Sequence, residues 1–238
     1  MKTITKKEIV YFIIIGVLLV SLVTVSALWA VSARKKEEPS YFDRKCAAFE
    51  LENAHLSKGQ IVFIGDSITD FYPLDDFYAD LPLSVYNRGI ARDKTGGVLS
   101  RLETSVLALE PSKISLLIGI NDINGGVPEE KILSNYGEIL DRIAARLPNA
   151  EVFCISVLPM NSDVASFKID LETGTARVKS LNEKLRPLVE GRGYTFVNLF
   201  PLLADANDHL IEAYSADGLH PSAAGYAVWT NALKPQLQ

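Results

Sequence analysis

The longest apolar run comes first. Residues 9–33, IVYFIIIGVLLVSLVTVSALWAVSA, contain no charge. As a helix rising about 1.5 Å per residue, that length crosses a hydrocarbon core of roughly 30 Å. Beyond it the pattern changes character. Apolar runs of strand length recur at 60–64, 84–86, 113–118, 151–157 and 194–199, separated by stretches of helical period. The clearest helix is 128–147. Pro128 stands in its first turn, Glu129 and Glu130 near its positive end, and Ile132, Leu133, Tyr136, Ile139, Leu140 and Ile143 form one stripe. Residues 98–109 and 181–189 behave similarly, and Pro221 opens a last helix through Trp229 and Leu233. Strands that are apolar throughout and alternate with helices predict an α/β fold with a parallel sheet covered on both faces.

In such a sheet, ligands bind beyond the carboxyl ends of the strands. The residues leaving each predicted strand are therefore the ones to inspect. They are Gly65-Asp66-Ser67, then Asn87-Arg88-Gly89, Gly119-Ile120-Asn121-Asp122 and Leu158-Pro159-Met160-Asn161; the fifth strand leads on to Asp217-Gly218-Leu219-His220. Each exit, taken alone, reads as a turn or a helix cap. Their joint occurrence at successive strand ends does not.

A serine needs a base within hydrogen-bond reach, itself oriented by a third group. The chain has three histidines. His55 precedes the first strand, at the amino end of the sheet, and fits a surface or helix-end role. His209 follows Asp205 and Asp208 and stays open on chemistry alone. His220 lies three residues after Asp217 on a glycine-containing loop, with Pro221 behind it. That spacing lets the carboxylate hold one ring nitrogen while the other faces outward. Donors for an oxyanion are available from the Ser67 backbone N–H, the approach permitted by Gly89, and the Asn121 amide.

Composition adds limits. Across 238 residues the net charge is −5, with no basic stripe beyond the N-terminal region, which argues against nucleic acid as a partner. Two cysteines, Cys46 and Cys154, are too few for a disulfide framework, though one bridge between them stays possible. No HExxH, CxxC pair or histidine pair at ligand spacing calls for a metal. The chain divides into a basic tail 1–8, a transmembrane anchor 9–33, a charged linker 34–40 and one domain 41–238. Lysines and arginines flank the anchor on both sides, so charge does not set its orientation. The short N-terminal tail favours a single-pass protein with its domain outside the cytoplasm. The alternative is secretion after cleavage following Ala33, where Val31-Ser32-Ala33 resembles a signal-peptidase site.

Together, GDSIT, NRGI, LLIGINDI and DGLHP resemble the four blocks of the SGNH hydrolases, also called GDSL esterases and lipases. The resemblance runs from about residue 58 to 230. The surrounding segments are similar to the branch containing platelet-activating-factor acetylhydrolase catalytic subunits and related bacterial acylhydrolases. It implies a three-layer α/β/α sandwich with a five-stranded, mainly parallel, flavodoxin-like sheet. It also implies Ser67 as nucleophile, His220 as base, Asp217 as its orienting group, and the N–H groups of Ser67 and Gly89 with the Asn121 side chain as oxyanion hole, with no cofactor. One departure is Ala91-Arg92-Asp93-Lys94 after the second block, where the family often carries more glycine. The expected activity is a serine esterase releasing short acyl groups, such as acetyl, from carbohydrate or lipid. The alternatives are a lysophospholipase or thioesterase preferring longer chains, and a binding module without turnover. Residues 71–78, rich in aromatics, and the loop 160–175 with Phe167 are expected either to shape specificity or to form a satellite hydrophobic cluster.

Overall fold

The computed structural model describes residues 5–33, 38–161 and 171–238. Two separate units result, residues 1–40 and 41–238. The first is a single helix, α1 (Lys6–Ala33), of 28 residues. Its segment Lys6–Ala27 is long and apolar enough to cross a membrane. Apolar side chains surround the whole circumference of this helix, which leaves no polar face of the kind a surface helix of a globular protein presents. Residues 34–37 of the expected linker lie outside the described residues.

The second unit is built on five strands, β1 (Ile61–Gly65), β2 (Val85–Gly89), β3 (Lys113–Leu117), β4 (Glu151–Ile155) and β5 (Thr195–Val197). They pair in the order β2-β1-β3-β4-β5, every pairing parallel. This is the flavodoxin-like order, which reverses direction between β1 and β3 and opens a crevice there. Its helices are α2 (Tyr41–Asn53), α3 (Ser67–Asp70), α4 (Leu74–Tyr78), α5 (Thr95–Ser105), α6 (Ile120–Asn124), α7 (Glu129–Arg146), α8 (Leu171–Glu190), α9 (Phe200–Leu203) and α10 (Ala223–Leu237). Residues 61–64 of β1 are fully buried, as are most residues of β3 and β4, so the near-continuous apolar runs reflect a sheet covered on both faces. On α7 the predicted stripe is buried except for Leu133, which is half-buried.

Three local differences from the sequence reading have physical causes. Helix α8 begins at Leu171, ten residues before the expected 181, because Thr173, Gly174 and Thr175 are poor helix formers that mask its first turns. The end of the expected 160–175 loop is therefore helix, and residues 162–170, with Phe167, lie outside the described residues. Helix α2 has no counterpart in the apolar periodicity, since Phe49 is its one buried residue. Cys46 and Cys154 do not pair. Both thiols are free, Cys154 buried in β4 and Cys46 half-buried on α2.

Candidate active site

Strand β1 ends at Gly65, and the chain turns into α3 with no room to spare. A Cβ on Gly65 would lie 2.2 Å from the Leu117 carbonyl oxygen and 2.3 Å from Thr69 Oγ1. Asp66 caps α3, its Oδ1 accepting the Ile68 N–H at 3.0 Å. Ser67 follows at the first helical position, and its backbone N–H has no acceptor among the described residues. The serine is thus presented at the crevice between β1 and β3.

The His220 loop is shaped by its own polar groups. Asp217 Oδ1 accepts the N–H groups of Leu219 at 3.0 Å and His220 at 2.8 Å. Gly218 takes φ of 78°, a left-handed conformation that favours glycine. Ser215, buried, donates its hydroxyl to the His220 carbonyl at 2.8 Å and accepts the Gly218 N–H at 2.9 Å. The Asn161 N–H, just beyond β4, bonds the Gly218 carbonyl at 2.8 Å and ties this loop to the sheet.

Folding brings these loops together across 153 residues of chain. Ser67 Oγ lies 2.8 Å from His220 Nε2, and His220 Nδ1 lies 2.6 Å from Asp217 Oδ2. Burial works to raise the Asp217 pKa, but bonds from the His220 ring and from the His220 and Leu219 N–H groups outweigh it, so the carboxylate stays below its usual range. Asp217 is therefore ionised at neutral pH, as a group orienting an imidazole must be. His55 is exposed in the turn after α2, and His209 is held by its backbone in a turn with Asp205. Neither hydrogen-bonds Ser67.

Asn121 reaches the same region from α6, where its Nδ2 donates to the Asp93 carbonyl at 3.0 Å and keeps a second hydrogen. Gly89 pairs with Gly65 across the sheet. Its own N–H is held by Asn87 Oδ1 at 2.8 Å. The lack of a side chain at 89 is a packing requirement, since a Cβ there would lie 2.1 Å from the Asp70 nitrogen. Asn87 also donates to the Thr69 carbonyl at 2.7 Å and the Tyr72 carbonyl at 3.2 Å, clamping the segment behind the serine.

Beneath the crevice lies a buried polar network that the sequence reading missed. Arg101 Nε pairs with Asp93 Oδ2 at 2.8 Å, both side chains 2% exposed. The same guanidinium donates to the Arg88 carbonyl at 2.8 Å and the Gly65 carbonyl at 3.0 Å, the latter directly before Asp66-Ser67. Asp122 accepts the Thr95 N–H and hydroxyl at 2.9 and 2.7 Å. Removing one partner of a buried pair strands the other charge at a cost of about 3–5 kcal/mol. Arg101→Met is accordingly expected to lower stability by about that amount, a large fraction of the roughly 5–15 kcal/mol of a typical domain, which chemical denaturation with the midpoint compared to wild type will measure.

Asp66 is fully buried, and its Oδ2 has no partner among the described residues. Burial, with smaller contributions from Asp93 and Asp122, pushes its pKa up to about 7 against the lowering effect of the Ile68 N–H. The folded protein then holds a proton that the unfolded chain has released. This group's contribution to stability is greatest below the unfolded value of 3.8 and is lost as pH rises through about 7. Asp66→Asn keeps the capping oxygen and should flatten the dependence of Tm on pH between about 4 and 7. An unchanged slope would assign the dependence elsewhere.

The aromatic segment after α3 divides in two. Tyr72, Leu74 and Tyr78 are core residues. Tyr72 stacks on Tyr226 with centroids 4.3 Å apart and its hydroxyl hydrogen-bonds Thr230 Oγ1 at 2.6 Å, so this part locks α10 against the sheet. Phe71 differs: it is 54% exposed, with its ring 5.2 Å from that of His220. Among the described residues no cluster of His, Cys, Asp and Glu is arranged to hold a metal ion.

A flavodoxin-like α/β fold carrying serine, histidine and aspartate in hydrogen-bonded series at its switch point has the architecture of a GDSL-type hydrolase. The sequence profile of the GDSL-like lipase/acylhydrolase family matches residues 63–228, and the chain belongs to that family. It is similar to a Streptococcus pneumonia protein provisionally described as a platelet activating factor, at 28% identity and TM-score 0.76 over 92% of this chain and 99% of that one. A GDSL-like lipase from Bacteroides thetaiotaomicron aligns at 22% identity and TM-score 0.72, over 83% and 98%. A catalytic mutant of an acetylxylan esterase from Geobacillus stearothermophilus shares the fold at 18% identity and TM-score 0.61, over 76% and 95%. No curated protein matches the chain.

Proposed function

We propose that this acylhydrolase is a membrane-anchored serine esterase that removes short acyl groups through an acyl-enzyme. The observation that carries the reading is the unbroken Ser67–His220–Asp217 series at 2.8 and 2.6 Å. Ser67 Oγ attacks the ester carbonyl as His220 Nε2 takes its proton. Asp217 holds Nδ1–H and stabilises the imidazolium that forms. The Ser67 N–H and the second hydrogen of Asn121 Nδ2 receive the oxyanion. Gly89 joins them when its N–H turns from, or shares, Asn87 Oδ1. The imidazolium protonates the leaving alcohol, and water then repeats the sequence on the acyl-serine.

The preference for a short acyl group rests on surface chemistry. Each buried methylene of a long chain contributes about 0.8 kcal/mol, but only where apolar surface receives it. Among the described residues of 41–238, the large exposed hydrophobic ones are Tyr41, Leu51, Phe71 and Leu202, and of these Phe71 is in contact with His220. One ring suits an acetyl ester or the face of a sugar better than an acyl tail. Similarity of fold to an acetylxylan esterase agrees with this. Nitrophenyl esters of increasing chain length test the reading: kcat/KM should peak at acetyl to butyryl, and a maximum at octanoyl or beyond would favour a lysophospholipase or thioesterase.

Residues 9–33 serve as the anchor and 34–40 as a linker, placing the domain 41–238 on the outer side of the membrane. The apolar length of α1 supports the span. Protease treatment of intact cells should release the domain. Protection of the domain would reverse the orientation, and a mature N-terminus at residue 34 would replace the anchor by a cleaved signal.

A further inference from the structure

The loop from Ile90 to Thr95, between β2 and α5, is fastened to the candidate site along its length. Ile90 N–H donates to the Gly65 carbonyl at 3.0 Å. Ala91 N–H donates to Asp70 Oδ2 at 2.9 Å, at the end of the helix that carries Ser67. The Asp93 carbonyl receives Asn121 Nδ2 at 3.0 Å, and Thr95 is bound to Asp122. Between these attachments burial alternates: Asp93 and Thr95 point inward, Arg92 and Lys94 are exposed.

Arg92 adopts φ of 69°, a left-handed conformation in which any residue with a Cβ is disfavoured and glycine or asparagine is the cheap choice. Packing does not explain the arginine, because among the described residues its guanidinium has neither an ion pair nor a hydrogen bond. Lys94 also makes no ion pair among them. Its ammonium lies against α6: a Cβ built on Gly125 would be 2.4 Å from Lys94 Nζ and 2.9 Å from the Asn121 carbonyl oxygen. The nearby carboxylates are otherwise engaged. Asp93 is taken by Arg101, Asp70 by Lys45 and Tyr41, and Asp122 by Thr95, acting on Lys94 only through space. In a chain of net charge −5, two unpaired cations thus stand on the loop that joins the serine helix to Asn121. Backbone strain of this kind is retained where a site gains from it.

We infer that Arg92 and Lys94 form a cationic subsite at the rim of the Ser67 crevice, which binds a carboxylate or phosphate on the ester substrate. The inference rests on the esterase reading. Because the acyl group there is short, the anion belongs to the alcohol half, as on an acidic carbohydrate or a phosphorylated polyol.

Three acetyl esters test it with the whole protein: 3-acetoxybenzoate, 3-acetoxyphenyl phosphate and the neutral methyl 3-acetoxybenzoate. The kcat/KM of at least one anionic ester should exceed that of the neutral one by roughly three- to tenfold, the range of partly exposed charge contacts. The larger of the two ratios identifies carboxylate or phosphate. The advantage should fade as salt shortens the Debye length from about 30 to about 8 Å. Arg92→Gln and Lys94→Gln should each reduce the ratio, mainly through KM. Arg92→Gly should reduce it without lowering Tm, since it removes the charge and relieves the backbone together. A ratio near one in wild type, or one unmoved by these substitutions, overturns the subsite while leaving the esterase standing. Failure of folded protein to hydrolyse all three esters overturns the esterase reading, and the subsite with it.

Discussion

Ser67→Ala is expected to lower kcat for nitrophenyl acetate by about 10⁴- to 10⁶-fold, the range seen when a triad nucleophile is removed. Folding should survive the change. The Ser67 hydroxyl bonds His220 Nε2, and that ring is 26% exposed, so water can satisfy the nitrogen that loses its partner. Cavity formation is minimal, because one oxygen is removed from a residue at the mouth of the crevice. A Tm equal to wild type beside a collapsed kcat would separate chemistry from architecture. Residual rate should come from the oxyanion donors and binding alone.

Asp217→Asn is expected to cost nearly as much, about 10⁴-fold in kcat, for a different reason. The asparagine oxygen can replace Oδ1 and keep the Leu219 and His220 N–H bonds at 3.0 and 2.8 Å, so the loop should hold its shape. At the other position an amide N–H would face His220 Nδ1 in place of Oδ2 at 2.6 Å. That donor stabilises the tautomer with the proton on Nε2, which cannot accept the serine proton. KM should change little, because the loop geometry persists. A marked drop in Tm accompanying the loss of kcat would instead indicate that Asp217 acts through folding.

Much of this site was legible because its determinants are local. GDS and DGLH each combine a strand exit or loop with a carboxylate that bonds within three positions, as Asp66 does with Ile68 and Asp217 with His220, whereas the polar groups of GIND bond Asp93 and Thr95, 28 and 27 residues away. The strands were legible for a related reason: burial on both faces writes a continuous apolar run. What lay beyond reach has long-range causes. Arg101 acts on Gly65 from 36 residues away, and in sequence it reads as an ordinary polar residue; Asn87 stands at a strand exit, but nothing in the sequence shows that it reaches Thr69, 18 residues back. The oxyanion role expected of Gly89 rests on the resemblance, while its place in the fold is set by Asp70 packing over it and by the Asn87 side chain, neither of which the sequence shows. The aromatics of 71–78 also needed the fold to be sorted, since burial of Tyr72 depends on α10, some 150 residues later, while its neighbour Phe71 is left beside His220.

Reaction of the intact protein with a fluorophosphonate, followed by peptide mass spectrometry, tests the central claim most directly. A single adduct on Ser67, lost in His220→Gln while the protein stays folded, is the predicted result. An adduct on another residue, or none on well-folded wild type, would contradict it.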